Sequence, residues 1–492
     1  MSSGSRTAIR HKILRWVGAS SVDAAGRLGL QLLATLVLAR MLAPESFGLV
    51  ALAFTVVGIV QNFVGIPFED ALAQRKVLRR AHLSSVLTAS LGVAVLAILL
   101  LWALSGPIAR FADAPALESV LPAAALLLLP MGPQAVFTAL ARRYQAFSLI
   151  AGANLFGHIA GVACALGLAW LGAGLWSLVA LRVVAPTVLC LILILGMRCA
   201  VPLRLSLERL RELAAFAGLH LADRLVENLI IALFHFMVNA LFGLTVLGWL
   251  NMAMRLVEPL RGAVGAMGHN IAFSFFARAQ SDAEKLGQAV VGAIRDTSIL
   301  TLPAFVGLAA VMPILLPLAA GPGWEPAIPI AQALALAAAL GTPMGMVHTG
   351  LTALGRPVFG LISSILGLIA LVLALLLIGP EGALLVGVAK LCQEAMETLY
   401  IHHPLSRILK VSPLSLIKTL SPLLPGAVAM AALVLLLGSV LAPETALSRI
   451  LVLMLQVLGG AVLFLGLTAL IARSRVTSLL ALFRARPAAQ EP

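Results

Sequence analysis

LSSVLTASLGVAVLAILLLWAL, residues 83–104, carries no charged side chain. A helix of that length reaches about 33 Å at about 1.5 Å per residue, enough to cross the roughly 30 Å hydrocarbon core of a bilayer. Arg79 and Arg80 stand before it and Arg110 after it. The same plan recurs along the chain. Apolar runs near 16–39, 45–66, 83–104, 119–140, 148–171, 174–195, 213–239, 243–263, 287–318, 326–352, 357–378, 381–403, 424–441 and 447–472 predict an all-α polytopic membrane protein of about 14 spans.

Composition agrees. Of 492 residues, 61% are hydrophobic and 11% charged, with a mean hydropathy of +1.06. An ordinary soluble domain has about 25% charged residues, so a soluble enzyme is excluded, and disorder and collagen with it. Cys164, Cys190, Cys199 and Cys392 stand singly, without metal-ligand spacing. No metal and no cofactor are expected. The segment from Trp16 to Leu38 holds Asp23 and Arg27; it is too long and too charged for a signal-peptide core of about 7–15 residues and is read as a helix. Trp102, Trp170, Trp176 and Trp324 fall at span ends or links, where interfacial aromatics belong.

The net charge of +14 is explained by topology. Of the 34 Lys and Arg residues, 26 fall on one side: the N-terminus, the links around 75–80, 142–143, 198–211, 255–285, 356 and 407–418, and the tail with Arg473, Arg475, Arg484 and Arg486. The other side has Arg40, Arg110 and Arg449. The positive-inside rule then puts both termini in the cytoplasm. Nucleic acid is not needed as a partner. Outer links are short, the longest being about 14 residues around Ser105–Glu118. No Walker, GxSxG or HExxH signature occurs, and no catalytic residue is expected.

Two halves resemble each other. Gly18-Ala-Ser-Ser-Val-Asp23 lies on Gly218-Leu-His-Leu-Ala-Asp223, an offset of 200, and Phe47-Gly48-Leu49 on Phe242-Gly243-Leu244, an offset of 195. The domain reading is an N-lobe at 1–197 (spans 1–6), a cytoplasmic linker at 198–212, and a C-lobe at 213–405 (spans 7–12). A last part, 406–492, holds a cytoplasmic link, spans 13–14 and a basic tail. Two six-helix lobes in one orientation follow the parallel-repeat transporter plan, with substrate between them at mid-membrane.

Ionisable groups deep in spans cost about 2.5–3.5 kcal/mol each and need a reason. Asp23 and Arg27 share a face of span 1; Asp223, Arg224 and Glu227 cluster on span 7; Lys390, Glu394 and Glu397 line one face of span 12. Arg182 lies within span 6, and Arg255, Glu258 and Arg261 end span 8 near the cytoplasm. Structural ion pairs and snorkelling ends are the plain reading, above all for the span 8 group. A cationic cavity holding an anionic headgroup is the sharper one. Its candidates are Arg27, Arg224, Lys390 and Arg255, with Asp23, Asp223, Glu227 and Glu394 as ion-coupling carboxylates. His158, His235, His269 and His348 are read as satisfied buried histidines. Gly157-xxx-Gly161 and Gly262-xx-Gly265-xx-Gly268 are read as helix-packing spacings. Pro303, Pro313 and Pro317 suggest a kinked or broken span 9.

At this point a resemblance enters. Leu38-Ala-Arg40-Met-Leu-Ala-Pro44-Glu-Ser-Phe47-Gly48-Leu resembles the signature after the first helix of Wzx-type polysaccharide flippases, in the multidrug/oligosaccharidyl-lipid/polysaccharide exporter superfamily. Ala71-Leu-Ala-Gln74-Arg75, Gly321-Pro-Gly-Trp324-Glu-Pro-Ala327 and Leu351-Thr-Ala-Leu-Gly355-Arg356 resemble later motifs in the same order. Span 8 departs, reading Asn251-Met-Ala-Met-Arg255 where a tyrosine-containing run is usual. The resemblance implies twelve to fourteen helices in two lobes, a basic cavity and alternating access in the bacterial inner membrane. It also implies a polyprenyl-pyrophosphate-linked oligosaccharide as substrate, membrane lipids as surroundings, and glycosyltransferases and a polysaccharide polymerase as partner enzymes. Alternatives are a cation-coupled multidrug exporter of the same superfamily, a membrane-embedded polymerase or acyltransferase, and a scaffold.

Overall fold

The computed structural model describes residues 29–64, 78–279, 282–356, 358–378, 384–441 and 445–471 and the single positions 26, 69, 72 and 75; the side chains of 213–224, 227, 266–275, 277–279, 378 and 413 lie outside that description. Among the described residues every regular element is helical. In hydrocarbon each backbone N–H and C=O must be satisfied within its own segment, and a helix does that. Eleven helices among the described residues are long and apolar enough to cross a membrane. The predicted fourteen differ from these at three places. Span 1 is described only as a short apolar helix, Gly29–Ala39. Spans 7 and 8 run on as one element, Leu207–Ala279, broken at Gly243 (φ 83°, ψ 173°). Span 12 is present as Leu384–Arg407 but carries too many charges to count as apolar.

Contacts divide the chain into two units, 1–248 and 249–492. The first holds α1 (Gly29–Ala39), α2 (Pro44–Gln61), α3 (Arg80–Phe111), α4 (Leu117–Ala125), α5 (Leu128–Arg143), α6 (Phe147–Trp170), α7 (Trp176–Met197) and α8 (Leu207–Ala279) as far as Gly248. Helix α3 continues through Pro107, so the outer link expected at 105–118 shrinks to 112–116, where Asp113 takes a left-handed φ of 49°. The span expected at 119–140 splits into α4 and α5 around Leu126–Leu127. Pro130 explains the break: it has no N–H to offer the Leu126 carbonyl, and its ring crowds that oxygen. Gly157 and Gly161 of α6 lie against Ala185 and Leu189 of α7, as their spacing predicts; a Cβ on Gly157 would sit 2.6 Å from the Ala185 carbonyl oxygen. Gly262 and Gly265 of α8, by contrast, face open space. Trp102 and Trp170 are exposed as interfacial aromatics, whereas Trp324 is buried.

An ionic network ties the segment before α8's apolar part to the α2–α3 region. Glu212 accepts from Arg75, from Arg209 Nη1 at 2.5 Å and from His82 Nε2 at 3.3 Å. The Arg79 backbone N–H donates to His82 Nδ1 at 3.0 Å, which leaves the ring proton on Nε2 facing the carboxylate. His82 above all, then Arg209 and Arg75, holds Glu212 below the usual carboxylate range against the desolvation that opposes it.

The second unit holds the remainder of α8, then α9 (Ala283–Ala320), α10 (Ala327–Ala353), α11 (Val358–Ile378), α12 (Leu384–Arg407), α13 (Pro413–Leu420), α14 (Leu424–Leu441) and α15 (Ala446–Ile471). Asp282 caps α9, its side chain accepting the N–H groups of Glu284 and Lys285 at 3.0 and 3.2 Å. Helix α9 runs on through Pro303, Pro313 and Pro317 as one element where a break was conceivable. Leu286, Val290 and Ile294 of α9, Val347 and Leu351 of α10, and Ile401 and Leu405 of α12 form an apolar core in it. Helices α14 and α15 pack on α9 through Met430, Val434 and Phe464.

Candidate functional site

Lys390, Gln393, Glu394 and Glu397 occupy one face of α12 across two turns. Sequence spacing suggests that Lys390 and the two glutamates share their charges along the helix; the structure partitions them. Arg261 of α8 reaches Glu394, Nη2 to Oε1 at 2.8 Å, with the Glu394 side chain 5% exposed. Lys390 Nζ instead donates to Gln393 Oε1 at 2.8 Å, and Gln393 Nε2 donates to Glu397 Oε1 at 2.9 Å. Gln393 is therefore a bridge that accepts from the cation and donates to the second carboxylate. Arg261 also faces Glu258, one turn earlier on α8, at 3.9 Å. Arg255 Nε donates to Asn251 Oδ1 at 2.9 Å.

Two glycines make room for the two carboxylates. A Cβ on Gly341 of α10 would overlap the Glu394 carboxyl oxygen, and one on Gly367 of α11 would overlap that of Glu397. Small residues let helices close on each other in a membrane, and here they also let charged heads sit between helices. Two cations (Arg261, Lys390) and three carboxylates (Glu258, Glu394, Glu397) thus gather in the second unit, while Arg255 lies on α8 two turns before Arg261. Arg261 is already paired with Glu394, so an anion that takes Arg261 must displace that carboxylate.

His348 of α10, read from sequence as a satisfied buried histidine, has a buried Nδ1 with no hydrogen bond among the described residues. His158 does fit that reading, its Nδ1 lying 2.8 Å from the Asn154 carbonyl oxygen.

The first unit carries a separate polar seam between α2 and α8. Asn228 donates to Asn62 at 3.4 Å, Thr55 Oγ1 meets His235 Nδ1 at 2.6 Å, and Thr245 donates to Glu45 at 2.7 Å. At the end of the seam nearest Pro44 a Cβ on Gly48 would run into the Leu244 carbonyl, and one on Gly248 into the Pro44 carbonyl. This reciprocity corrects the repeat register. Positions 44 and 244, and 48 and 248, differ by 200, the offset that also relates Gly18–Asp23 to Gly218–Asp223. Gly243, matched to Gly48 at an offset of 195, instead breaks α8 with a positive φ, whereas Gly48 lies within α2.

Arg182 of α7 is a further cation inside a span, and unlike Arg295, which pairs with Asp296 at 2.8 Å, it faces a ring. Its guanidinium carbon lies 5.0 Å from the centre of the Phe54 ring of α2. A cation over an aromatic face gains about 0.5–2 kcal/mol, well short of the several kcal/mol that desolvating a charge costs.

Of the residues expected in the cavity, Asp23 and Arg27 lie outside the described residues, and Asp223, Arg224 and Glu227 are helical positions of α8 whose side chains lie outside them too. Lys390, Glu394 and Arg255 fall in the second unit. The spacing drew attention to Glu397, but Gln393, Gly341 and Gly367 went unmarked. Gln393 had a signal, since it sits one turn from both Lys390 and Glu397 on the charged face.

With this geometry in hand, the fold can be matched. The structure aligns with "Lipid II flippase MurJ, inward closed conformation" at a TM-score of 0.74 and 12% identity, covering 94% of this chain and 100% of that one. It aligns with an inward-facing multidrug resistance MATE family transporter of the MOP superfamily at 0.59 and 17% identity, covering 79% and 99%. The fold is that of these membrane transporters. A family described as "Polysaccharide biosynthesis protein" matches residues 37–329, more than half of the chain, and this protein belongs to it. Two relatives are the succinoglycan biosynthesis transport protein ExoT of Rhizobium meliloti (strain 1021) and the lipopolysaccharide biosynthesis protein WzxC of Escherichia coli (strain K12). ExoT is 28% identical over 67% of this chain and 67% of its own length; WzxC is 25% identical over 68% and 70%.

Proposed function

We propose that this protein turns a polyprenyl-pyrophosphate-linked oligosaccharide from the cytoplasmic to the outer leaflet of a bacterial inner membrane, as a step in polysaccharide biosynthesis. The family, the transport role in the name of ExoT and the transporter fold support the reading. The observation that carries it is the Arg261–Glu394 pair, its carboxylate buried, beside Lys390, charged groups held within a membrane helix bundle. A diphosphate outcompetes one carboxylate for an arginine fork because it offers more charge and more acceptor oxygens. Glu394, released from Arg261, then takes up a proton rather than stay charged and unpaired in a low dielectric. Loading of the anion and protonation of the carrier are thereby linked. Arg27 and Arg224 add cations from spans 1 and 7; Asp23, Asp223 and Glu227 are further proton sites.

Two lobes, 1–197 and 213–405, rock about this cavity, with 198–212 as the linker, 406–492 as an appended helix pair and tail, and both termini in the cytoplasm. On that division the α2–α8 seam joins the lobes on the external side, at the Gly48 and Gly248 contacts. An inside-negative potential assists outward movement of the anion by about 2.3 kcal/mol per charge per 100 mV, without ATP. Glycosyltransferases supply the substrate and a polymerase consumes it on the far side. A multidrug exporter for cationic compounds fits less well, because Arg255, Arg261 and Lys390 are cations deep in or at the ends of spans, and such cargo would meet like charge there.

Charge removal tests the reading. Arg27→Gln, Arg224→Gln and Lys390→Met, each shown to insert normally, are expected to cut polymer export in a flippase-deficient strain by about tenfold or more at low expression. Full export by all three variants would contradict a cationic cavity.

A further inference from the structure

Arg182 takes no part in the second-unit cluster, yet it sits in the inward stripe of α7. Leu178, Val179, Ala185, Leu189 and Leu193, which flank it at helical spacing, are all buried. A basic residue that merely snorkelled would leave this stripe for a lipid headgroup. Instead the guanidinium lies over the Phe54 ring, and among the described residues it makes no hydrogen bond and no ion pair. The ring covers a face of the cation. Its N–H donors form a planar fork of the kind that fits a carboxylate or phosphate. An arginine held by its face with its edge unanswered is a receptor for an anion.

We propose that Arg182, seated on Phe54, is a second anion-binding residue, in the first unit, that takes a phosphate or carboxylate group of the transported glycolipid. The two sources share one chemistry: the diphosphate of the lipid carrier, or an acidic substituent on its sugars. The proposal rests on the transport reading above and adds a contact remote in sequence from Lys390 and Glu394. Phe54 is a positioning residue, since it holds the guanidinium and touches no cargo.

Three probes separate the cases, each titrated into purified protein in lipid nanodiscs. Undecaprenyl diphosphate carries the phosphate, undecaprenyl glucuronide carries a carboxylate without phosphate, and undecaprenol carries neither. Arg182→Gln is expected to weaken one or both anionic probes by about tenfold while leaving undecaprenol unchanged, and Arg182→Lys is expected to recover part of the loss. Loss for the diphosphate alone assigns Arg182 to the carrier headgroup; loss for the glucuronide alone assigns it to an acidic sugar. Phenylglyoxal labelling of Arg182 in unaltered protein, read by peptide mass spectrometry, covers the case in which Arg182→Gln fails to fold. Protection by an anionic probe and none by undecaprenol is expected. Equal affinities in Arg182→Gln, equal losses for undecaprenol, or no protection would overturn the proposal. Binding of neither anionic probe by the unaltered protein would overturn the transport reading itself; binding that survives intact in Arg182→Gln would remove Arg182 alone.

Discussion

Glu394→Ala should lower the stability of the protein by about 2–3 kcal/mol, because it leaves Arg261 with a desolvated guanidinium and only the more distant Glu258 at 3.9 Å. Full loss of a partner from a buried ion pair costs about 3–5 kcal/mol; the 27% exposure of the Arg261 side chain lets water recover part of that. It also empties the space that Gly341 leaves for the carboxyl group. Glu394→Gln is the informative companion. An amide of the same size still accepts a hydrogen bond from Arg261, so stability should fall by only about 1 kcal/mol. Transport should nevertheless fail, because the amide cannot alternate between a charged pair and a protonated acid. The readouts are thermal unfolding in detergent and polymer export at matched membrane levels. Unchanged unfolding in Glu394→Ala would mean that the pair does not hold the second unit together. Normal export by Glu394→Gln would remove the proposed proton step.

The second large effect belongs to the crossing of α2 and α8. A side chain at Gly48 must enter the Leu244 carbonyl, which is backbone and cannot rotate away. Gly48→Val and Gly248→Val should each force the helices apart, at about 1–3 kcal/mol for overpacking, and weaken the Glu45–Thr245 hydrogen bond nearby. The test places cysteines at 45 and 245 in a background with the four native cysteines replaced by serine. Oxidation should cross-link the parent efficiently and stop export, and the yield should fall several-fold once Gly48→Val is added. Full cross-linking in Gly48→Val would show that the contact is looser than the glycines imply.

Spans were legible because bilayer thickness imposes a length on apolar runs, and the run at 83–104 needs nothing else. Ends and breaks were less so. Hydropathy does not register that α3 runs on to Phe111, since the last turns of a helix outside hydrocarbon tolerate polar residues and a proline. It also misses the division at Leu126, which depends on the missing N–H of Pro130. Deep charges could be found from sequence, because each stands out against an apolar background. Their partners could not, since Arg261 and Glu394 are far apart in the chain and only packing joins them. The glycines opposite Glu394 and Glu397 are silent for the same reason: a glycine in a membrane helix has many uses. The repeat register shows the limit from the other side. Short matches put the offset at 200 for Gly18–Asp23 and at 195 for Phe47–Leu49, and the reciprocal contacts of Gly48 and Gly248 follow 200.

Transport itself is the direct test. Purified protein reconstituted in liposomes with a fluorescently tagged undecaprenyl-diphosphate oligosaccharide can be followed by an impermeant quencher added outside. With an inside-negative potential, the fraction accessible to quencher should rise over time, reach well beyond the starting half, and do so markedly more slowly with Lys390→Met. An accessible fraction no different from that of protein-free liposomes, with or without the potential, would contradict a flippase that uses its buried cations to carry a lipid diphosphate.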